Sequence, residues 1–377
     1  MSEYYVLITG AKKNVGDFLI TDRAVNLIKS IAPEISLEII NGWESVEDRE
    51  FLNQSQGIIM LGGPGFQNNM FPGVYRFVDD LDKISVPIYS LGPGWNGKAN
   101  NKLTEKMYDF SNASMKFIKK MANSATIGVR DLPTVRVLEN NGIKNVKLTG
   151  CPAWYDLRYL NSPLRVSKSV NRIIFTPAQN IKLYQQTLNV LHFLKEYFSG
   201  TKIVVSFHRG LGTNDQYTNA EDAENTIKIA HFAESLGFEC VDLAYDSSKL
   251  KIYNDFDLHI GYRVHAHIYF LSMRKPSILL NEDGRGNGVN ETLATPGIDA
   301  FNFSEITSRL ISLIPNKKIK KKLFYHYGFQ INSSVVDQLR DLLDKSIQNR
   351  FNDFKQSLII IDSTYMVMRE HILKIMN

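Results

Sequence analysis

Cysteine is nearly absent from this 377-residue sequence, with Cys151 and Cys240 the only two. Two thiols cannot build a disulfide framework or a cysteine-rich zinc site, and their scarcity fits a reducing compartment. Long apolar runs are missing as well. The most apolar late stretch, Leu358 to Met376, is interrupted by Asp362, Arg369, Glu370 and His371. A spanning helix needs about 20 apolar residues in succession, so this stretch reads as a core-facing helix. The start, Glu3 to Gly10, has no basic opening, apolar run or small-residue cleavage site, and is expected to be a strand entering a glycine turn rather than an export leader. A strong charge bias is lacking too: the net charge is +5, much of it traceable to Lys317, Lys318, Lys320, Lys321 and Lys322. That does not by itself suggest a nucleic-acid binder, and the expected location is cytoplasmic.

What is present is the composition of a packed globular protein, 44% hydrophobic and 22% charged. The length calls for two lobes. Short β-branched runs alternate with helical patterns, the signature of βαβ units and parallel sheets. Strands are expected near Tyr4 to Thr9, Leu37 to Asn41, Gly57 to Leu61, Pro87 to Leu91, Ala125 to Val129 and Val146 to Thr149. Helical patterns fall between them at Phe18 to Ile31, Gly73 to Leu81, Asn101 to Met121 and Leu132 to Asn141. After a candidate linker, Asn161 to Asn171 with Pro163, the pattern resumes with strands near Arg172 to Thr176, Lys202 to Phe207, Phe238 to Val241, Leu258 to Gly261 and Ser277 to Asn281. The predicted architecture is α/β: Rossmann-like lobes over 1–160 and 171–330, and a helical segment over 331–377 that packs across them. Doubly wound sheets bind ligands at the carboxyl ends of their strands, and here those ends would line one cleft.

The chemistry-bearing residues fall at those ends. The first turn, Gly10-Ala11-Lys12-Lys13-Asn14-Val15-Gly16-Asp17, has glycines for close backbone approach and precedes a helix whose free N–H groups suit an anion. It is neither a dinucleotide fingerprint nor a P-loop, and Asp17 reads equally as a helix cap. Gly62-Gly63-Pro64-Gly65 and Leu91-Gly92-Pro93-Gly94 end successive strands, with more glycine than a short connection needs. Arg130, beside Asp131, offers a donor fork to a carboxylate or phosphate. In the second half, His208-Arg209 follows one strand, and Arg263-Val264-His265 opens a helix, where the dipole favours anions and lowers the imidazole pKa. His267 reads as a satisfied core or surface histidine. The stretch Asn281-Glu282-Asp283-Gly284-Arg285-Gly286-Asn287-Gly288 reads as a glycine-rich polar loop, functional or a plain turn.

In this order, Asn14-Val15-Gly16-Asp17, Gly62-Gly63-Pro64, Leu91-Gly92-Pro93-Gly94, Val129-Arg130-Asp131, Gly150-Cys151-Pro152-Ala153 and Arg263-Val264-His265 resemble the polysaccharide pyruvyl transferase family. The resemblance implies a two-lobed, glycosyltransferase-B-like fold. It also implies an enzyme that forms a pyruvate ketal on a sugar of a surface polysaccharide such as capsule or exopolysaccharide, with phosphoenolpyruvate as donor and no cofactor or metal. Arg263 would bind the donor, and His265 would contact phosphate or move a proton. Asp17 and His208 are further candidates for catalysis. Asn14, Gly16, Gly62, Gly63, Gly94, Arg130, Arg209, Glu282 and Arg285 are candidates for substrate binding. Many relatives carry a lysine where Glu282-Asp283-Gly284-Arg285 stands here; Arg285 would replace it, and the two carboxylates would hold sugar hydroxyls. The implied acceptor is a sugar or lipid-linked glycan. The lysine cluster then reads either as a solvated helix face or as a peripheral contact with the inner face of the membrane. The alternative within the fold class is a nucleotide-sugar glycosyltransferase.

Overall fold

A computed structural model describes residues 4–97, 102–212, 215–316, 319–320, 322–323 and 329–377. The alternating pattern forms two parallel six-stranded sheets. The first holds Tyr4–Thr9 (β1), Ser36–Asn41 (β2), Gly57–Phe66 (β3), Ile88–Trp95 (β4), Ile127–Val129 (β5) and Val146–Leu148 (β6), in the order β2-β1-β3-β4-β5-β6. The second holds Arg172–Thr176 (β7), Lys202–Phe207 (β8), Glu239–Asp242 (β9), Leu258–Gly261 (β10), Ser277–Asn281 (β11) and Gly297–Asp299 (β12), in the order β12-β11-β10-β7-β8-β9. Helices cover both faces, so inner strands are apolar on both sides. Ile58 to Leu61, Ile173 to Phe175 and Ile278 to Leu280 are accordingly all buried.

Strand order reverses between β1 and β3 in the first sheet and between β7 and β10 in the second, which opens a crevice at each reversal. Register fixes what lines it. β1 pairs with β3 from Tyr5–Gly57 to Ile8–Met60, so the turn after Thr9 emerges beside Gly62 to Gly65, which do not end β3 as expected but continue it, irregularly paired with β4, to Phe66. β7 pairs with β10 up to Thr176–Gly261, which brings the 177–180 turn beside Arg263.

The lobes meet on both flanks of the cleft. On one, Val15 N donates to His208 O at 3.0 Å. The buried Lys13 ammonium there lies 2.5 Å from Asp215 and 2.6 Å from Thr218 Oγ1. On the other, Gly284 N donates to Gly97 O at 3.0 Å, and Arg136 bridges Glu105 at 2.6 Å to Glu291 at 2.7 Å. The C-terminal helix Lys355–Met376 reaches both lobes: His371 Nε2 bonds Ser90 O at 2.8 Å and Ile375 O accepts from Tyr5 at 2.7 Å, while Asp362 pairs with Arg274. Among the described residues no helix is long and apolar enough to cross a membrane. Lys317, Lys318 and Lys321 of the lysine cluster, and Asn101 at the start of one expected helix, lie outside the described residues.

Three further expectations need correction. The segment expected as a helix from Gly73 to Leu81 is largely irregular, because its backbone bonds sideways: Arg76 N to Gly42 O at 2.6 Å and Val46 N to Phe77 O at 3.0 Å. The helix expected from Asn101 to Met121 is two, Lys102–Lys106 and Asn112–Ser124, the second capped by Ser111 Oγ accepting from Ser114 N. The glycine-rich stretch after β11 is no loop beyond Asp283, since Gly284–Leu293 is helical with Asp283 as its side-chain cap.

Candidate functional site

Gly261 ends β10 at φ +147, and a Cβ there would lie 2.3 Å from Thr176 O. Only glycine lets the two strand ends pack this closely. Arg263 then takes the N-cap position of helix Val264–Ser272, its backbone N donating to Thr176 Oγ1 at 3.2 Å. A buried chain fixes that threonine: Oγ1 bonds His259 Nε2 at 2.8 Å, His259 Nδ1 bonds Ser277 Oγ at 2.7 Å, and His267 Nδ1 reaches the same oxygen at 2.8 Å. His267 is therefore a core histidine, pushed down to about 3 by burial.

The Arg263 guanidinium donates to Gln179 Oε1 at 2.8 Å and stands 3.5 Å from Glu282. Glu282 in turn accepts from Gln179 N at 2.9 Å, so its carboxylate orients both the arginine and the turn beside it. Burial, opposed by the Arg263 charge, raises the Glu282 pKa. Arg285 lays its Nε between the two oxygens of Asp283 at 2.9 and 3.0 Å. The acidic pair thus holds the arginines in place.

His265, one residue into the same helix, faces the start of helix Val15–Ile31. A Cβ on Gly16 would fall 1.9 Å from its Nδ1, so Gly16 provides the gap that admits the imidazole between the lobes. Burial and then the charges of Arg285, Arg263 and Arg130 push His265 down to about 3, which leaves it neutral at pH 7. A bound dianion would reverse the electrostatic part of that shift.

From the first lobe, Gly63 presents its backbone at φ +101 with only an Ile20 methyl, at 3.9 Å, near the place of a side chain. Arg130 pairs with Asp131 at 2.6 Å and donates to Trp95 O at 3.1 Å. It lies across Gly94, where a Cβ would be 2.2 Å from its Cζ, so Gly94 seats the arginine and is turned from the cavity. Gly62 has the same kind of role against the Cys151 sulfur, 2.7 Å from its would-be Cβ, although it also borders the cleft.

These groups converge. Gly63, Pro64, Arg130, Arg263, His265, Glu282 and Arg285 line an enclosed space of about 20 Å³. It shares Ile20, Gly63, Pro64, Arg263 and Arg285 with a cavity of about 270 Å³ that Asn14, Asp17, Gly62, Gln179 and Arg209 complete. Burial raises the Asp17 pKa, opposed by a 3.2 Å bond from Asn14 Nδ2 and by the charges of Arg285, Arg263 and Arg209. Asn14 Oδ1 is buried with no hydrogen-bonding partner among the described residues. His208 is not brought to this cavity. It is buried, its Nε2 2.8 Å from the Tyr253 hydroxyl, and borders a separate small space with Gln179, Arg209 and Arg263. Sequence reasoning missed Gln179, although it follows a strand end as the other candidates do, did not single out Lys12 within the first turn, and missed Trp43, which lines the outer cavity without any motif.

Two parallel sheets facing across one cleft define a GT-B-like, two-lobed α/β protein. Within that class the profile of the polysaccharide pyruvyl transferase family matches residues 14–284, and the chain belongs to that family of transferases. The fold is similar to the S. aureus MnaA–UDP co-structure, with a TM-score of 0.52 and 12% identity over 94% of this chain and 91% of that one. UDP-GlcNAc 2-epimerase from Neisseria meningitidis bound to UDP-GlcNAc is also similar, at a TM-score of 0.49 and 11% identity over 99% and 100% of the respective chains. At such identities the likeness is one of fold alone. No curated protein matches the chain in sequence.

Proposed function

We propose that this transferase uses phosphoenolpyruvate to build a pyruvate ketal on a sugar of a surface polysaccharide or its precursor. The observation that carries the reading is the convergence of Arg263, Arg285, Arg130 and a neutral His265 on the open backbone of Gly63, in one enclosed space. A small dianionic or trianionic donor matches such a set: forked donors for carboxylate and phosphate, with little room for solvent.

The reaction needs a proton delivered to the donor's methylene carbon, stabilisation of the oxocarbenium-like centre, and removal of a proton from each of two sugar hydroxyls. One of those two protons balances the new methyl group and the other leaves on inorganic phosphate. In this reading the donor phosphate raises the His265 pKa, so that the imidazole can carry a proton at the donor. Asp17, with its raised pKa, accepts one from an acceptor hydroxyl. Arg263 and Arg285 neutralise the departing phosphate in a site that needs no rearrangement to do so.

Phosphate release from phosphoenolpyruvate, followed with and without a panel of acceptor glycans, tests this directly. Release is expected only with acceptor present. Thermal stabilisation by nucleoside diphosphates but not by phosphoenolpyruvate would favour the nucleotide-sugar reading instead.

A further inference from the structure

The cations at the mouth of the cleft exceed what a single donor explains. Lys12 is exposed and lines the outer cavity, its Nζ 4.8 Å from the centroid of the Trp43 ring. No hydrogen bond or ion pair engages its ammonium among the described residues, and burial, Arg76 and Arg209 depress its pKa while Glu44 alone opposes them. Glu44 is itself held by the Trp43 indole N–H at 3.2 Å and by Asn41 Nδ2 at 3.0 Å. Arg209 lines the same cavity, and among the described residues its guanidinium donates to one backbone acceptor, Tyr217 O at 2.8 Å. Unlike Arg130 and Arg285, neither cation has a carboxylate partner within ion-pair distance among the described residues. The partly exposed Trp43 indole, which lines the same cavity, offers an apolar surface of the kind a sugar ring stacks on.

We infer that Lys12 and Arg209, beside Trp43, form a second anion subsite at the cleft mouth, and that the acceptor is a sugar bearing its own phosphate or carboxylate. The inference deepens the pyruvyl-transfer reading, since it assigns the outer cavity to the acceptor while Arg263 and His265 keep the donor. Both charges would be fixed by the protein, one at each end of the cavity. A neutral glycan would leave Lys12 and Arg209 without a counter-charge.

Trp43 supplies the probe, because Trp95 and Trp154 are buried and out of a quencher's reach. Acrylamide quenching is measured while the protein is titrated with glucose 1-phosphate, glucuronate or glucose, alone and with saturating phosphoenolpyruvate. The two anionic arms separate a phosphate handle from a carboxylate handle by their relative affinities. Saturable protection by at least one of them is expected, with none from glucose, and it should persist when phosphoenolpyruvate is present. Lys12→Met and Arg209→Met should each weaken it by about tenfold. Lys12 is a surface side chain, so its variant reports on binding without endangering the fold. Protection by glucose equal to that by the anions, no protection by any sugar, indifference to both substitutions, or displacement by phosphoenolpyruvate would each overturn the inference. If phosphoenolpyruvate itself fails to bind, the donor reading falls while the sugar titrations still read the outer subsite.

Discussion

Replacing Arg263 by methionine is expected to lower kcat/KM for phosphoenolpyruvate by about 10³-fold. The guanidinium is buried, aimed by Gln179 and Glu282, and faces the space where His265 and Gly63 meet. It therefore needs no reorganisation as negative charge gathers on the leaving phosphate. Lysine should rescue little, because one ammonium cannot reproduce two parallel donors. The helix should survive, since its cap bond to Thr176 comes from the Arg263 backbone N and not from the side chain. The methionine variant does strand the buried Glu282 carboxylate, which destabilises the fold. Pairing it with Glu282→Gln should restore thermal stability and leave activity lost. Steady-state kinetics on both variants separate the two effects, and activity within threefold of the parent would refute the donor role.

The second large effect is acid sensitivity. His208, His259 and His267 are buried, and burial comes first among the causes that hold all three below the ordinary histidine value. In the unfolded chain each regains a pKa near 6.5. A depressed native pKa means that unfolding takes up protons, so their stabilising contribution is present above about pH 6.5 and is lost as pH falls through the window toward about 3, where His267 titrates in the fold. The slope is about 1.4 kcal/mol per pH unit for each histidine. Urea unfolding at pH 7.5 and pH 5.5 should show a loss of several kcal/mol, with proton uptake on unfolding at the lower pH. Equal stability at the two values would mean that the rings are already charged in the fold. Thr176, and with it Arg263, depends on the His259 and Ser277 bonds, so the folded protein should keep its activity at pH 5.5 and lose it only where these rings take up a proton in the fold, far below 6.5.

Strands were the most legible part of the fold. β1, β7, β8, β10 and β11 stand where their apolar runs end against glycine, proline or a polar residue, because a buried parallel strand carries its signal in its own sequence. Helix Gly284–Leu293 was hidden by its composition. Gly284 and Gly288 would drive a Cβ to 2.6 Å from Gly97 O and 3.1 Å from Asp131 Oδ2, and Gly286 would reach 2.6 Å from Asn281 Oδ1. Gly284 and Gly288, which read as a loop, form the close-packed face of a helix seated against the other lobe, while Gly286 makes room for Asn281 of the preceding strand, and tertiary contact overrides propensity. The site divides along the same line. Arg263, His265 and Arg285 could be found because they follow strand ends, whereas Gly16 and Gly94, expected to approach a ligand, accommodate His265 and Arg130 instead. What a glycine makes room for is a property of the fold around it.

A structure of the protein with phosphoenolpyruvate tests the central claim most directly. The account predicts the donor's phosphate and carboxylate between Arg263 and Arg285 on one side and the Gly63–Pro64 backbone on the other, with the His265 imidazole in contact. Donor held only at Lys12 and Arg209, with the space around His265 untouched, would contradict it.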